Sequence, residues 1–289
     1  MADPSEPMEQ TGARTRPAGR TIAAWRFAVG MLSVLPVRAV ARVDRRLAGR
    51  AMTLAPAVGT LLGLVAALVL VGVRWAGGTA LLSAALAVGT LAWLTRGLHL
   101  DGLADLADGL GSGGPAERAL AVMKQSDIGP FGVITLVFTL LLQVAALTAL
   151  AESSAPAAGA CLIAACTAGR LAITWACGEG VPAARPEGLG VLVAGTVRPG
   201  AAIYATASSA VAVGAITIAA LIASPVPRMA VPFGPFLAMA AGLGAGLGAA
   251  ALLRRRAVRR LGGVTGDVLG ALCECATTVT LLCCALLIP

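Results

Sequence analysis

Three aspartates lie within eight residues of the segment RGLHLDGLADLADGLGSGG, residues 96–114, which lies between two strongly apolar stretches. If the segment is helical and Asp101 is taken as zero, Asp105 falls near about +40° and Asp108 near about −20°. The opposite face carries three leucines: Leu103, Leu106 and Leu110. The pattern predicts an amphipathic helix with one stripe of carboxylates.

Like charges at this spacing destabilise a bare helix, so a positive group is expected against the stripe. Carboxylate oxygens suit Mg²⁺, which keeps several waters and usually bridges to a substrate phosphate. The stripe therefore predicts a magnesium site at Asp101, Asp105 and Asp108. An acidic, solvated interfacial helix, or ion pairs with Arg96 or Arg118, would produce the same pattern without a metal.

Further residues with suitable chemistry lie near the stripe or recur later in the chain. His99 is the single histidine, and it is a candidate general base, positioning partner or phosphate donor. Asp267 is a candidate fourth carboxylate, or simply the cap of the helix that follows it. Gly262 and Gly263 could present backbone amides to a phosphate, and Arg259 could bind one with its guanidinium group.

Two ionisable residues fall within apolar stretches. Arg170 and Glu274 are expected to face the interior of a helix bundle, because a charge at membrane depth is costly unless it is enclosed. Such residues are candidates for function by default.

The composition is that of a membrane protein. The chain is 58% hydrophobic and 12% charged, whereas a soluble domain carries about 25% charged residues. Its apolar runs are continuous, which favours helices over a barrel. Seven stretches have about the length of a span: Ala51–Val73, Gly77–Leu94, Phe131–Leu150, Ala155–Cys177, Ala201–Ala223, Val231–Leu253 and Val268–Ile288.

We therefore predict an all-α, polytopic membrane protein with about seven transmembrane helices and an N-terminal interfacial or re-entrant helix over Ile22–Val37. Residues 1–20 are predicted to be a disordered polar tail. Residues 21–289 are predicted to form a single integral-membrane catalytic domain. An oligomer is compatible with this sequence.

Basic residues set the expected orientation. The net charge of +8 is explained by the positive-inside rule and does not require a nucleic-acid partner. Arginines before the first span and in the segment RRRAVRR, residues 254–260, lie on one predicted side. We expect a multi-pass protein of the cell (inner, cytoplasmic) membrane whose acidic site faces the cytoplasm.

Several motifs together resemble the cobalamin synthase family, adenosylcobinamide-GDP ribazoletransferase. They are GLHLDGLADLADGL, RRLGGVTGDVLGALCE, ARPEGLGVL and VMKQSDIGPFG. The resemblance covers nearly the whole chain after the tail.

The resemblance implies a reaction, a cofactor and substrates. Such an enzyme joins adenosylcobinamide-GDP to α-ribazole or its 5′-phosphate, and GMP leaves as adenosylcobalamin or its 5′-phosphate forms. The family's members are integral to the lipid bilayer and require Mg²⁺.

The resemblance also implies site residues. The family's motifs fall on His99 to Asp105, Asp108, Glu187 to Gly190 and Gly262 to Asp267, with single matches at Arg170, Arg259 and Glu274. The implied metal ligands are Asp101, Asp105, Asp108 and Asp267, and Arg259, Lys124 and Arg118 are candidate phosphate contacts. Departures occur at Gln125 and Asp127, and Arg96 stands where the family usually has Gly.

Three other functions remain as alternatives at this point. A CDP-alcohol phosphotransferase also uses membrane aspartates and Mg²⁺, but its usual motif is missing after Asp105. An ion-coupled transporter would place essential acids near mid-membrane in related halves, and no repeat is evident. A structural membrane subunit would not need the aspartate stripe.

Overall fold

The computed structural model describes residues 17–223 and 234–288. Over those residues the chain forms helices and no β-strand. The helices are α1 (Pro17–Leu32), α2 (Arg45–Trp75), α3 (Ala80–Leu94), α4 (Leu98–Gly111), α5 (Ala116–Val122), α6 (Pro130–Ser153), α7 (Ala155–Ala176), α8 (Leu189–Val193), α9 (Pro199–Ala223), α10 (Gly234–Leu261) and α11 (Gly266–Leu287).

Six helices, α2, α6, α7, α9, α10 and α11, are long and apolar enough to cross a membrane. The pair α3 and α4 passes the same test only together, and it is bent by 87° at its break. Because α4 leaves α3 at nearly a right angle, we place α4 outside the spans. The described residues then contain six spans, or seven if the 15-residue α3 also crosses. The predicted all-α architecture of about seven spans is confirmed, although residues 231–233 of the sixth predicted span lie outside the described residues.

The N-terminal helix α1 begins at Pro17 and ends at Leu32, and it packs on α2. Its buried side includes Ala24, Ala28 and Val29. The helix therefore includes the last four residues, 17–20, of the predicted polar tail. Residues 1–16 of that tail lie outside the described residues.

Helix α7 forms the centre of the bundle. It packs against α2, α9, α10 and α11, and nearly all of its side chains are buried. Small residues make this close packing possible. A Cβ atom added at Gly63 of α2 would lie 2.8 Å from the Cα of Ile163 in α7, so the backbones touch where a larger side chain would hold them apart.

The loops that were predicted to share one side of the membrane meet at one end of the bundle. The Ala184 amide donates to the Val264 carbonyl at 3.0 Å, and the Val264 amide donates to the Pro182 carbonyl at 2.9 Å. Arg45, at the start of α2, donates to the Ala194 carbonyl at 2.6 Å. These contacts join the segment between α7 and α9 to the loop between α10 and α11 and to the start of α2.

Candidate functional site

The break between α3 and α4 orients the aspartate helix. Arg96 has φ of +53° and Gly97 has φ of +67°, so two consecutive residues adopt the left-handed conformation. This conformation reverses the local course of the backbone and ends α3. As a result α4 lies across the end of the bundle instead of continuing the span.

Helix α4 is amphipathic, as predicted. Leu103 and Leu106 are buried, whereas Asp101 is exposed and Asp105 is half-buried. The leucines hold the helix on the bundle, and these two carboxylates face outward from it.

Close packing of α4 on α11 brings Asp267 to the aspartate stripe. A Cβ atom added at Gly102 would lie 2.8 Å from the Cα of Asp267. Asp267 is in the first turn of α11, whose N-cap is Thr265. The Thr265 hydroxyl accepts from the Val268 amide at 3.2 Å and donates to the Asp267 carboxylate at 3.2 Å. Asp267 is therefore not the N-cap, and its carboxylate remains near α4.

The carboxylates repel one another. Burial and then the negative charges of Asp101, Asp267 and Asp108 raise the pKa of Asp105 to about 6, while Arg185 opposes the shift. A bound cation would relieve this repulsion, because an opposite charge favours the ionised form.

A cavity of about 280 Å³ opens beside these carboxylates. Its lining includes Asp101 of α4, Glu187 before α8, and Thr265 and Asp267 at the start of α11. Three motifs that are far apart in the sequence thus contribute to a single cavity. The lining also includes Arg185, so the cavity presents both negative and positive groups.

Arg185 is a site residue that the sequence analysis did not single out. Its guanidinium group lies 3.8 Å from the Asp267 carboxylate and donates to the Leu120 carbonyl at 2.7 Å. Its position two residues before Glu187, inside the motif ARPEGLGVL, was the available signal. Lys124, a predicted phosphate contact, lies 3.1 Å from the Glu187 carboxylate, so it lies near the lining of the cavity.

Asp108 has a different environment from the other two aspartates of the stripe. Its carboxylate accepts from the Gly129 amide at 2.7 Å and from the Gly132 amide at 2.9 Å. Both amides belong to the start of α6, where unpaired amides and the helix dipole favour a negative group. Asp108 is buried, and it caps α6 from α4.

Arg170 and Glu274 lie in the bundle interior, as predicted. Both line a cavity of about 20 Å³ together with Gln143, a volume that suits a single water molecule. Gln143 donates to the Glu274 carboxylate at 2.9 Å and to the Thr278 hydroxyl at 2.9 Å. No sequence motif points to Gln143, whose side-chain amide donates to a carboxylate on another helix.

His99 faces this interior cluster. Neither ring nitrogen has a hydrogen-bond partner among the described residues, and the side chain is 1% exposed. One possible ligand atom each from His99, Cys273 and Glu274 lies within 4.8 Å of the others. The group supplies one imidazole, one thiol and one carboxylate, whereas Mg²⁺ prefers oxygen ligands.

The remaining predicted residues lie apart from the cavity. Arg118 is exposed on α5. Arg259 lines a separate groove with other arginines of α10. Gly262 has φ of +81°, and a Cβ atom added at Gly263 would lie 2.5 Å from the Ala184 amide nitrogen. These two glycines shape the loop that leads to Asp267.

The carboxylates that best fit a magnesium ion are those of Asp101, Asp105 and Asp267. Asp101 and Asp267 line the open cavity, and Asp105 is close enough to both for their charges to raise its pKa. They do not form a closed cage, but Mg²⁺ is usually bound by one or two carboxylates, with waters and substrate phosphates completing its shell.

Comparison with known proteins identifies relatives along nearly the whole chain. A family model described as cobalamin-5-phosphate synthase matches residues 24–285. No solved structure matches the chain.

Three similar proteins are each named adenosylcobinamide-GDP ribazoletransferase. The protein of Frankia casuarinae is 43% identical over 272 residues, which cover 91% of this chain and 95% of its own length. That of Nocardioides sp. is 41% identical, with 90% and 96% covered. That of Corynebacterium efficiens is 35% identical, with 89% of each covered.

Proposed function

Because the chain belongs to the cobalamin-5-phosphate synthase family, we propose that it joins adenosylcobinamide-GDP to α-ribazole or its 5′-phosphate and releases GMP. The product is adenosylcobalamin or its 5′-phosphate. The observation that carries this proposal is the convergence of Asp101, Glu187 and Asp267 on one cavity. No described feature favours the alternatives of a CDP-alcohol phosphotransferase or a transporter.

The reaction is a phosphoryl-group transfer. A ribose hydroxyl of α-ribazole forms a bond to the phosphorus that carries the aminopropanol arm, and the bond from that phosphorus to the bridging oxygen of GMP breaks. GMP leaves with the bridging oxygen, and the hydroxyl proton passes to a base. Such transfers depend mainly on positioning and on neutralising charge.

The cavity supplies groups for each of these needs. Asp101, Asp105 and Asp267 would hold Mg²⁺, which when bound would neutralise charge on the diphosphate. Arg185 lies 3.8 Å from Asp267, where its guanidinium group can contact a phosphate oxygen. Lys124 beside Glu187 can reach the same region.

We assign the hydroxyl proton to a carboxylate of the cavity rather than to His99. His99 also lines the cavity, but its side chain is only 1% exposed, and one of its ring nitrogens lies within 4.8 Å of Glu274. Asp101 is exposed and lines the cavity, so a substrate hydroxyl can approach it. In this proposal the role of the interior residues is to hold α4 and α11 in position. These residues are His99, Arg170 and Glu274.

The proposed orientation places this end of the bundle on the cytoplasmic side of the cell membrane. Arginines and lysine are frequent in the loops that meet there, as the positive-inside rule expects. Nucleotide-bearing substrates would then reach the cavity without crossing the bilayer.

The test uses the protein purified in detergent, with adenosylcobinamide-GDP and α-ribazole supplied in Mg²⁺ or EDTA. We expect Mg²⁺-dependent release of GMP matched by formation of cobalamin, both followed by chromatography. Asp101→Asn should lower turnover by at least about 100-fold, since it removes a group that acts on the transferred phosphate. Glu152→Gln is the control, because Glu152 is exposed at the opposite end of α6.

One result would overturn the proposed reaction, and another would overturn only the assignment of the metal ligands. One is the absence of both products from folded wild-type protein supplied with intact substrates. The other, which would remove the metal assignment alone, is wild-type turnover by Asp101→Asn and Asp267→Asn.

A further inference from the structure

Four arginines line one groove at the end of α10. The groove has a volume of about 510 Å³, and its lining is Leu110, Leu252, Arg255, Arg256, Arg259 and Arg260. Among the described residues, none of these four guanidinium groups makes an ion pair. Arg255, Arg256 and Arg259 are exposed and Arg260 is half-buried.

This groove is separate from the aspartate cavity. Leu110 belongs to the leucine face of α4, about 180° around the helix from Asp101. Asp101 lines the other cavity, and no residue lines both. An anion bound in the groove would therefore not be a ligand of the proposed reaction site.

The positive charges that line the groove favour binding of an anion. Four positive groups that share one space repel each other, and the groove lining contains no carboxylate. By contrast, the basic cavity beside α1 and α2, lined by Arg42, Arg46 and Arg50, also contains Asp44. One guanidinium group often donates two parallel hydrogen bonds to the oxygens of a phosphate.

The apolar residue beside the arginines indicates which kind of molecule carries the anionic group. Leu252 is 66% exposed and lies one helical turn before Arg255 on a helix apolar enough to span a membrane. Toward the C-terminal end of α10, the exposed surface changes from Leu252 to Arg255 and Arg256. This order matches an acyl chain followed by a phosphate headgroup at the edge of a bilayer.

We propose that the groove binds the phosphate group of an anionic phospholipid. The headgroup phosphate contacts Arg255, Arg256, Arg259 and Arg260, and an acyl chain packs along Leu252. Because Leu110 of α4 forms the other wall, a bound lipid connects the end of α10 to the helix that carries the aspartates. The same phosphate chemistry also belongs to free nucleotides, and the experiment separates the two.

The experiment measures binding directly. Protein freed of lipid in detergent is mixed with phosphatidylglycerol or with phosphatidylcholine, and bound lipid is counted by native mass spectrometry. We expect phosphatidylglycerol to bind and phosphatidylcholine not to bind. The double variant Arg255→Gln/Arg256→Gln should weaken phosphatidylglycerol binding by about 30-fold, because each basic side chain near an anionic surface contributes a factor of about five.

The matched control is Arg42→Gln/Arg46→Gln. It removes the same charge from the basic cavity that contains Asp44, and it should leave lipid binding unchanged. Equal loss in both double variants would mean that total charge attracts the lipid, which would overturn the proposal. Arg259→Gln/Arg260→Gln provides an independent test if the first variant does not fold.

Competition by GDP identifies the source of the phosphate. If the groove binds lipid, GDP at millimolar concentration should not displace phosphatidylglycerol. Displacement by GDP, together with arginine-dependent GDP binding, would overturn the lipid assignment in favour of a nucleotide. The measurement requires no turnover, so its outcome is independent of the proposed reaction.

Discussion

The three aspartates of α4 differ in what surrounds them. Asp101 and Asp105 face outward, and Asp101 lines the cavity. Asp108 is buried and accepts two backbone amides from the start of α6. Identical residue types at helical spacing therefore separate into two roles, one at the cavity and one in holding two helices together.

Asp108→Asn should mainly lower stability. The asparagine side chain has no negative charge and only one acceptor oxygen. We expect the substitution to lower the free energy of unfolding by about 1–2 kcal/mol, as for other helix caps. The melting temperature in detergent should fall, whereas Asp101→Asn, at an exposed position, should melt like the wild type. If Asp108→Asn instead melts normally and has no activity, Asp108 acts directly at the metal.

Arg96 occupies a position that favours glycine. Its φ of +53° costs a residue with a Cβ atom about 1 kcal/mol or more, and the side chain is exposed. Arg96→Gly should therefore raise the melting temperature. Arg96→Ala removes the same side chain but keeps the Cβ atom, so it should not be stabilising; an equal gain in both variants would refute the backbone explanation.

At the scale of helices, the site depends on how closely α4 approaches α11. Gly102 touches the backbone of Asp267, and Gly270 touches the backbone of His99. Larger side chains at these points would separate the two helices. The distance between Asp101 and Asp267 is thus set by small residues that carry no functional group.

Gly102→Ala should lower both stability and turnover. Its Cβ atom would lie 2.8 Å from the Cα of Asp267, and overpacking of this kind typically costs about 1–3 kcal/mol. Gly89→Ala on α3 is the control, since an added Cβ atom there meets nothing within 4 Å. Normal melting and activity of Gly102→Ala would show that the helices can move apart without harm.

Glu274→Gln should be strongly destabilising. The Glu274 carboxylate accepts from the Gln143 amide at 2.9 Å and shares a small interior cavity with Arg170. The substitution removes a buried hydrogen bond to a charged group, at a cost of about 1.5–3 kcal/mol. Melting in detergent would measure the loss. If Glu274 instead contacts substrate, Glu274→Gln should retain the wild-type melting temperature and show a raised KM.

At the scale of the whole molecule, the bundle collects its acidic and basic loops at one end. Contacts such as those of Arg45 with Ala194 and of Arg185 with Leu120 join segments far apart in the sequence. The proposed orientation puts this end in the cytoplasm and the C-terminal end of α11 on the other side. A reporter enzyme that is active only with its disulfides formed can test this orientation. Fused after residue 289, it should be active, because disulfides form outside the cytoplasm.

The same reporter joined within residues 112–114, between α4 and α5, should be inactive. Activity there, with none after residue 289, would reverse the orientation and place the cavity outside the cytoplasm. The count of six or seven spans among the described residues would survive that result, since it depends only on length and composition.

The sequence by itself determined the long apolar helices and the aspartate helix, but not the short helices α5 and α8. Continuous apolar runs predict α2, α3, α6, α7, α9, α10 and α11, because spans in lipid must satisfy their own backbone hydrogen bonds. The spacing of Asp101, Asp105 and Leu106 predicts the amphipathic helix α4. The family resemblance identified the cavity motifs, although it did not single out Arg185.

Only the tertiary structure decided which residues meet. Neighbours along a helix follow from its period, but contacts across helices depend on packing that no local pattern encodes. Asp108 therefore caps α6, Gln143 pairs with Glu274, and Arg259 lies in a groove away from Asp101. Gly102 has no functional side chain, but it lets α4 and α11 approach closely. This close approach brings Asp267 to the aspartates of α4.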